Sequence, residues 1–347
     1  PPFGDLSLSD SSKLKPASWG DRMTEVAKKL DDKFDGNFAA YVSDLHRGVK
    51  WGYQEDQPFY LASGVKIAFM VEVFRQREQG TLSFDEQIRY TKQRIRDGAP
   101  RVNRQKMGAK IKIKTLLDWR MRSSDNAASD MLAERVTLAA INRGLKEEGL
   151  YEWAPLTRLI DVRRGVYREL DVAADDLTPE EVRKIRWTRI WDPQIRKIEE
   201  LLGRPKRSFT RPDLFEAYKR FYATGVNRAT MQGVGLLFEK MVRGELVGQK
   251  ASSEMLELMS AARTSTHRLM GRLPRGTKVA HKTGSQYTKL CDLGVIFMPD
   301  NTPLVVTVCT ENGAVPKAED TVARIARAAY DFVKEDRRKM MATKGQP

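Results

Sequence analysis

Strand character occurs at both ends of this 347-residue chain, and helical spacing dominates between them. Near the start, residues 37–45 and Val49–Tyr53 read as a hairpin turning at 46–48. Near the end, 278–285, 290–298 and 303–310 are three β-rich runs, the last two joined by Pro299-Asp300-Asn301-Thr302. Strands divided in this way predict one α/β domain built from both termini, 18–60 with 265–336. An all-α domain, 61–264, is inserted between them.

Local signals punctuate the helices. Ser18 with Asp21 predicts a capped helix running to about Phe34, with Met23, Val26, Ala27 and Leu30 on one face. From 63 to 80, Ile67, Met70, Val71 and Phe74 share a face. Thr178-Pro179-Glu180-Glu181 is a helix start with Pro at the first helical position, and Thr210 to Asp213 repeats it. A closing helix aligns Val322, Ile325, Ala329, Phe332 and Val333.

Composition bounds what such a chain does. Its longest apolar runs, such as 293–299, are far too short to cross a bilayer. The 61 Lys and Arg exceed the 46 Asp and Glu, giving a net charge of +15. These cations are scattered among acids, which argues against a nucleic-acid partner and for a solvated surface. The functional counterpart is attraction to anionic substrates, cell wall or a membrane surface.

Two cysteines, Cys291 and Cys309, exclude a disulfide-dense scaffold. They fit either one cross-strand bridge or two reduced core thiols. The three histidines lack metal-ligand spacing, so neither a metal nor a cofactor is expected. Residues 1–17, with no initiator Met and no apolar signal core, read as a flexible leader left by trimming, compatible with a removed export signal. Residues 337–347 read as a frayed basic tail.

Three short motifs follow in order: Ser63-Gly64-Val65-Lys66, Ser124-Asp125-Asn126 and Lys282-Thr283-Gly284. Singly they are a helix N-terminus, a helix cap and a strand end. Ser12 and Lys15 satisfy the first spacing by accident. Their joint occurrence and order carry the signal. Residues three apart on a helix share a face, which sets Lys66 beside Ser63. A desolvated lysine among other cations loses its proton near neutral pH and can then activate a serine hydroxyl.

This constellation resembles the class A β-lactamases, which share a fold with penicillin-binding D,D-peptidases. Phe59-Tyr60-Leu61-Ala62-Ser63 looks like the family's approach to its nucleophile, and Gln79 to Glu86 like the turn after the nucleophile helix. Leu273 to Thr277 and Val279 to Ser285 resemble the entry into the active-site strand. The likeness covers roughly 20–160 and 225–335.

It implies a five-stranded antiparallel sheet flanked by helices, plus an all-α domain. It further implies a monomeric, periplasmic or otherwise exported serine hydrolase. Ser63 would be acylated, and Ser124 would relay a proton to the leaving nitrogen. Asn126 would bind the substrate's amide side chain, while Lys282, Thr283 and Ser285 receive its carboxylate. Gly284 would leave room for substrate along the strand edge. The backbone amides of Ser63 and Ser285 would form the oxyanion hole.

Two departures stand out. The loop Glu that hydrolyses the acyl-enzyme falls on Arg163 without a gap, or on Arg164 with a one-residue gap, and guanidinium cannot act as a base. Asp161 and Glu169 are out of register and read as structural. Lys282 follows Ser124 by 158 residues, roughly fifty more than is usual for the family. The excess is a helical insertion at about 165–225, containing Trp187, Trp191, Phe209, Phe215, Tyr218 and Phe221. The expected activity is acylation by β-lactams with slow hydrolysis. Alternatives are a D,D-peptidase acting on D-Ala-D-Ala-type peptides, and an acylatable or inactive binding or sensor module.

Overall fold

A computed structural model describes residues 15, 16, 18–186, 190–264 and 266–344. Most of the leader, Trp187 and the end of the basic tail lie outside the described residues. The chain divides into two compact units, Pro1–Ile67 with Leu145–Trp153 and Arg228–Pro347, and Ala68–Gly144 with Ala154–Asn227.

In chain order the elements begin with β1 (Lys15–Pro16), α1 (Gly20–Asp31), β2 (Asn37–Asp44), β3 (Val49–Tyr53) and β4 (Pro58–Tyr60). Then come α2 (Lys66–Glu78), β5 (Gln87–Arg89), β6 (Lys110–Lys112), α3 (Ile113–Ser123), α4 (Asn126–Val136) and α5 (Leu138–Glu147). Next are α6 (Leu159–Arg168), α7 (Pro179–Ile185), α8 (Trp191–Leu201), α9 (Arg211–Ala223), β7 (Arg228–Thr230), α10 (Met231–Arg243) and α11 (Gln249–Ser260). The chain closes with β8 (Val279–Gln286), β9 (Lys289–Phe297), β10 (Pro303–Glu311) and α12 (Val315–Lys344).

The first unit is a sheet in the order β1-β3-β2-β10-β9-β8. Its closure joins the two ends of the chain: β10 pairs antiparallel with β2, from Leu304 opposite Asp44 to Glu311 opposite Asn37. Five strands run antiparallel as expected, and β1 adds a sixth, parallel to β3. On one face Phe38, Ala40, Val42, Val306 and Val308 pack with Met23 and Ala27 of α1 and Val322, Ile325 and Ala329 of α12. Each such fully buried aliphatic side chain contributes about 1.5–3 kcal/mol. The central strands are buried on both faces, so the opposite face needs a cover as well. There α10 supplies it: Thr307 donates to the Met231 carbonyl at 2.9 Å, and Tyr41 to Glu239 at 2.7 Å. Residues 228–264, expected with the helical domain, therefore belong with the sheet.

Three other expectations change. Ser18 does not cap α1; Trp19 holds that position and Ser18 bonds Asp336 instead. Four three-residue strands, paired as β4 with β7 and β5 with β6, carry too little alternation to be read in advance. Arg337, expected to begin a frayed tail, lies instead within α12. Its side chain is buried, 2.7 Å from Asp44 and 2.9 Å from Asp300.

Cys291 and Cys309 stand directly opposite each other on β9 and β10 and form a disulfide. Both are buried, so their joint replacement by Ala tests the bridge with little polar disturbance. The expected loss is about 2–4 kcal/mol, read as a Tm lower by several degrees. An unchanged Tm would show that the bridge adds nothing to the paired strands.

Among the described residues of the second unit, the regular elements are helical apart from the β5–β6 pair. Both predicted capping boxes form, at Thr178–Glu181 and Thr210–Asp213. The insertion buries Val182, Ile185, Ile198, Leu214 and Phe221, which makes it packed structure rather than a loose loop. Gly165 of α6 admits the Phe221 ring, since a Cβ there would lie 2.7 Å from Cε2.

Candidate active site

Ser63 sits in a 3-10 turn, Ala62–Val65, that feeds directly into α2. The turn is closed by the Gly64 amide donating to the Leu61 carbonyl at 2.8 Å. Ala62 is held at φ 48, in the left-handed region. Such strain in a non-Gly residue costs of order 1–3 kcal/mol and persists where surrounding structure enforces it. Ser63 is half-buried, while Lys66, the first residue of α2, is completely buried.

The strand β8 ends the sheet and adjoins this turn. Gly284 explains how. A Cβ at that position would overlap the Leu61 carbonyl oxygen and lie 3.2 Å from the Gly64 amide nitrogen. Its missing side chain makes room for the nucleophile's turn. Lys282 is buried and donates from Nζ to the Thr283 carbonyl at 2.6 Å. Thr283 Oγ1 lies 2.9 Å from Thr264 Oγ1, and Ser285 is exposed.

The Ser124-Asp125-Asn126 motif lies in the second unit, where α3 ends and α4 begins at Asn126. Ser124 is also left-handed, at φ 54. Asp125 is buried and structural. It caps α4 through the Ala128 amide at 2.9 Å and accepts the amides of Arg101 and Val102 at 2.9 and 3.1 Å. Asn126 donates to the Asp97 carbonyl at 2.9 Å, so at least one of its amide hydrogens serves the neighbouring loop.

Where a deacylating carboxylate would stand, Arg163 pairs with buried Asp97 at 3.0 Å, and Arg164 donates to the Leu177 carbonyl at 2.9 Å. Asp161 pairs with Arg158 at 2.9 Å, and Glu169 with Arg220 at 3.0 Å. Both carboxylates are therefore engaged with neighbouring cations.

This combination of a strained serine turn, a buried lysine one turn on and a Lys-Thr-Gly edge strand agrees with sequence comparison, which matches residues 22–333 to the Beta-lactamase enzyme family. The chain belongs to that family.

Among relatives of this β-lactamase-family protein, Beta-lactamase SME-1 of Serratia marcescens is 20% identical over 91% of each chain. Extended-spectrum beta-lactamase PER-1 of Pseudomonas aeruginosa is 32% identical over 114 residues, 30% of this chain and 37% of that enzyme's length. In fold, PBP-A superposes with a TM-score of 0.71 at 17% identity, covering 95% of this chain and 100% of its own. A β-lactamase from Chitinophaga pinensis gives 0.70 at 19% identity, covering 90% of this chain and 99% of its own.

Sequence reasoning missed two buried groups. Arg268 donates to Ser285 Oγ at 2.7 Å and to the carbonyls of Gly284 and Cys291 at 2.9 and 3.0 Å. Asp130 of α4 accepts the amides of Leu159 and Ile160 at 2.7 and 3.1 Å and pairs with Arg96 at 2.6 Å, tying α6 to α4. Burial pushes the Asp130 carboxyl above its ordinary range, while Arg96 and those amides pull it back. No sequence spacing announces either contact.

Proposed function

We propose that this protein is a serine hydrolase acylated at Ser63 by β-lactams. The observation that carries this reading is the seating of β8 on the strained Ser63 turn, with Lys66 buried beside it. Lys66 Nζ takes the Ser63 hydroxyl proton, Oγ bonds to the lactam carbonyl carbon, and the backbone amides of Ser63 and Ser285 stabilise the oxyanion. The lactam C–N bond then breaks, and the nitrogen takes a proton through Ser124, the role implied by the family resemblance. Lys282, Thr283 and Ser285, backed by Arg268, receive the substrate carboxylate. Asn126 keeps the amide-binding role implied by the same resemblance.

Hydrolysis of the acyl-enzyme is slow in this reading. Arg163 is protonated and engaged with Asp97, so it cannot activate water. Incubation with a chromogenic cephalosporin is expected to give a persistent covalent adduct by intact mass spectrometry, with slow colour development. The absence of both adduct and turnover would overturn the proposal.

The same missing base favours a second reading, a D,D-peptidase acting on peptides ending in D-Ala-D-Ala. A variant of the similarly folded PBP-A is described as an acyl-enzyme complex with penicillin-G. Release of D-alanine from a cell-wall peptide would separate the two activities. The Cys291–Cys309 bridge supports an exported, periplasmic location, where disulfides persist.

A further inference from the structure

Behind the strand bearing Lys282, Thr283 and Ser285 runs a buried polar chain that the acyl transfer itself does not use. Arg268 stands at one end. Its Nη1 donates to the Gly284 and Cys291 carbonyls, its Nη2 to Ser285 Oγ, and its Nε faces Glu319 at 3.3 Å. The next residue, Leu269, donates its backbone N–H to Asp292 Oδ2 at 3.0 Å. Asp292 Oδ1 is 2.8 Å from His281 Nδ1. Asp292 is fully buried and His281 nearly so.

The strand sequence makes room for this arrangement. His281 is paired across the strands with Gly294, and a Cβ on Gly294 would lie 2.8 Å from the Cα and Cβ of His281. Both Asp292 oxygens are committed, one to a ring and one to an amide. A buried carboxylate is tolerated only when it is partnered in this way. A guanidinium presents its donors in a rigid planar fork, so fixing the backbone beside Arg268 fixes where that fork points.

We propose that Asp292, oriented by His281, is a positioning residue for carboxylate recognition: through the Leu269 amide it aims Arg268, which in turn holds the Ser285 hydroxyl. The substrate half of this inference rests on the acylation reading above. The link from Asp292 to Arg268 stands on the hydrogen bonds alone.

The test compares Asp292→Ala with Asp292→Asn. An Asn oxygen can still accept the Leu269 N–H while its amide donates to His281 Nδ1, so Asn should rescue what Ala loses. Time-resolved intact mass spectrometry would follow acylation by benzylpenicillin and by its methyl ester, which lacks the carboxylate. For Asp292→Ala, the benzylpenicillin concentration giving half-maximal acylation should rise about tenfold, with the maximal rate within about twofold of wild type. The ester should be affected less than about twofold, and the loss should vanish in an Arg268→Ala background. Hydrogen exchange of the segment 266–272 should quicken in the Ala variant and not in the Asn variant.

Equal losses on acid and ester, losses that add to those of Arg268→Ala, or unchanged exchange would each overturn the proposal. If wild-type protein is acylated by neither compound, the function reading fails. The exchange comparison then decides the Asp292–Arg268 link by itself. Should Asp292→Ala not fold, His281→Ala frees one side of Asp292, and the same benzylpenicillin-specific loss is expected from it.

Discussion

Ser63→Ala is expected to abolish covalent labelling by β-lactams and to lower any cephalosporin turnover by at least about a thousandfold. No other group in the 3-10 turn offers an oxygen nucleophile, since its remaining residues are Ala62, Gly64 and Val65. Fold should be retained, because the half-buried hydroxyl is not part of the core and the turn's own hydrogen bond runs between Gly64 and Leu61. Intact mass and thermal melting of the same sample separate the two effects. A variant that labels at the wild-type rate would place the nucleophile elsewhere and remove the basis of the proposed function.

Gly284→Ala is expected to be nearly as damaging by a different route. The added Cβ meets backbone rather than a movable side chain, because it would overlap the Leu61 carbonyl and crowd the Gly64 amide. Either β8 or the Ser63 turn must shift. Overpacking of this kind typically costs about 1–3 kcal/mol. A shift of about 1 Å in catalytic geometry lowers rates by roughly a hundredfold. The signature is therefore a modest fall in Tm together with a fall in acylation rate of about two orders of magnitude. Acylation at the wild-type rate would show that the seating of β8 on the turn is unimportant to reactivity.

Much of this protein was legible in its residues. Runs of β-forming residues bounded by turn signals marked β2, β3, β8, β9 and β10, and capping threonines with a nearby proline and acid marked the starts of α7 and α9. Ordered motifs marked Ser63, Lys66 and Lys282. Contacts that depend on tertiary approach were not legible. Arg268, Asp292 and Asp130 look like ordinary surface charges until the chain folds over them. The purpose of Gly284 also emerged only once the Leu61 carbonyl was beside it. Arg337 looked like part of a solvated tail because nothing local announces Asp44, nearly three hundred residues earlier, as its partner.

The pairing of β2 with β10 also dictates an order of assembly. Asn37 finds its strand partner only when Glu311 is available, so a chain emerging from its N-terminus cannot close this sheet until β10 has been made. The second unit ends at Asn227, and every residue it needs is present well before the last three strands exist. During synthesis β2 and β3 must wait with an open edge, the kind of surface that invites wrong partners. The seat of β8 against the Ser63 turn therefore forms only after residues 279–286 have been made, later than every residue of the second unit.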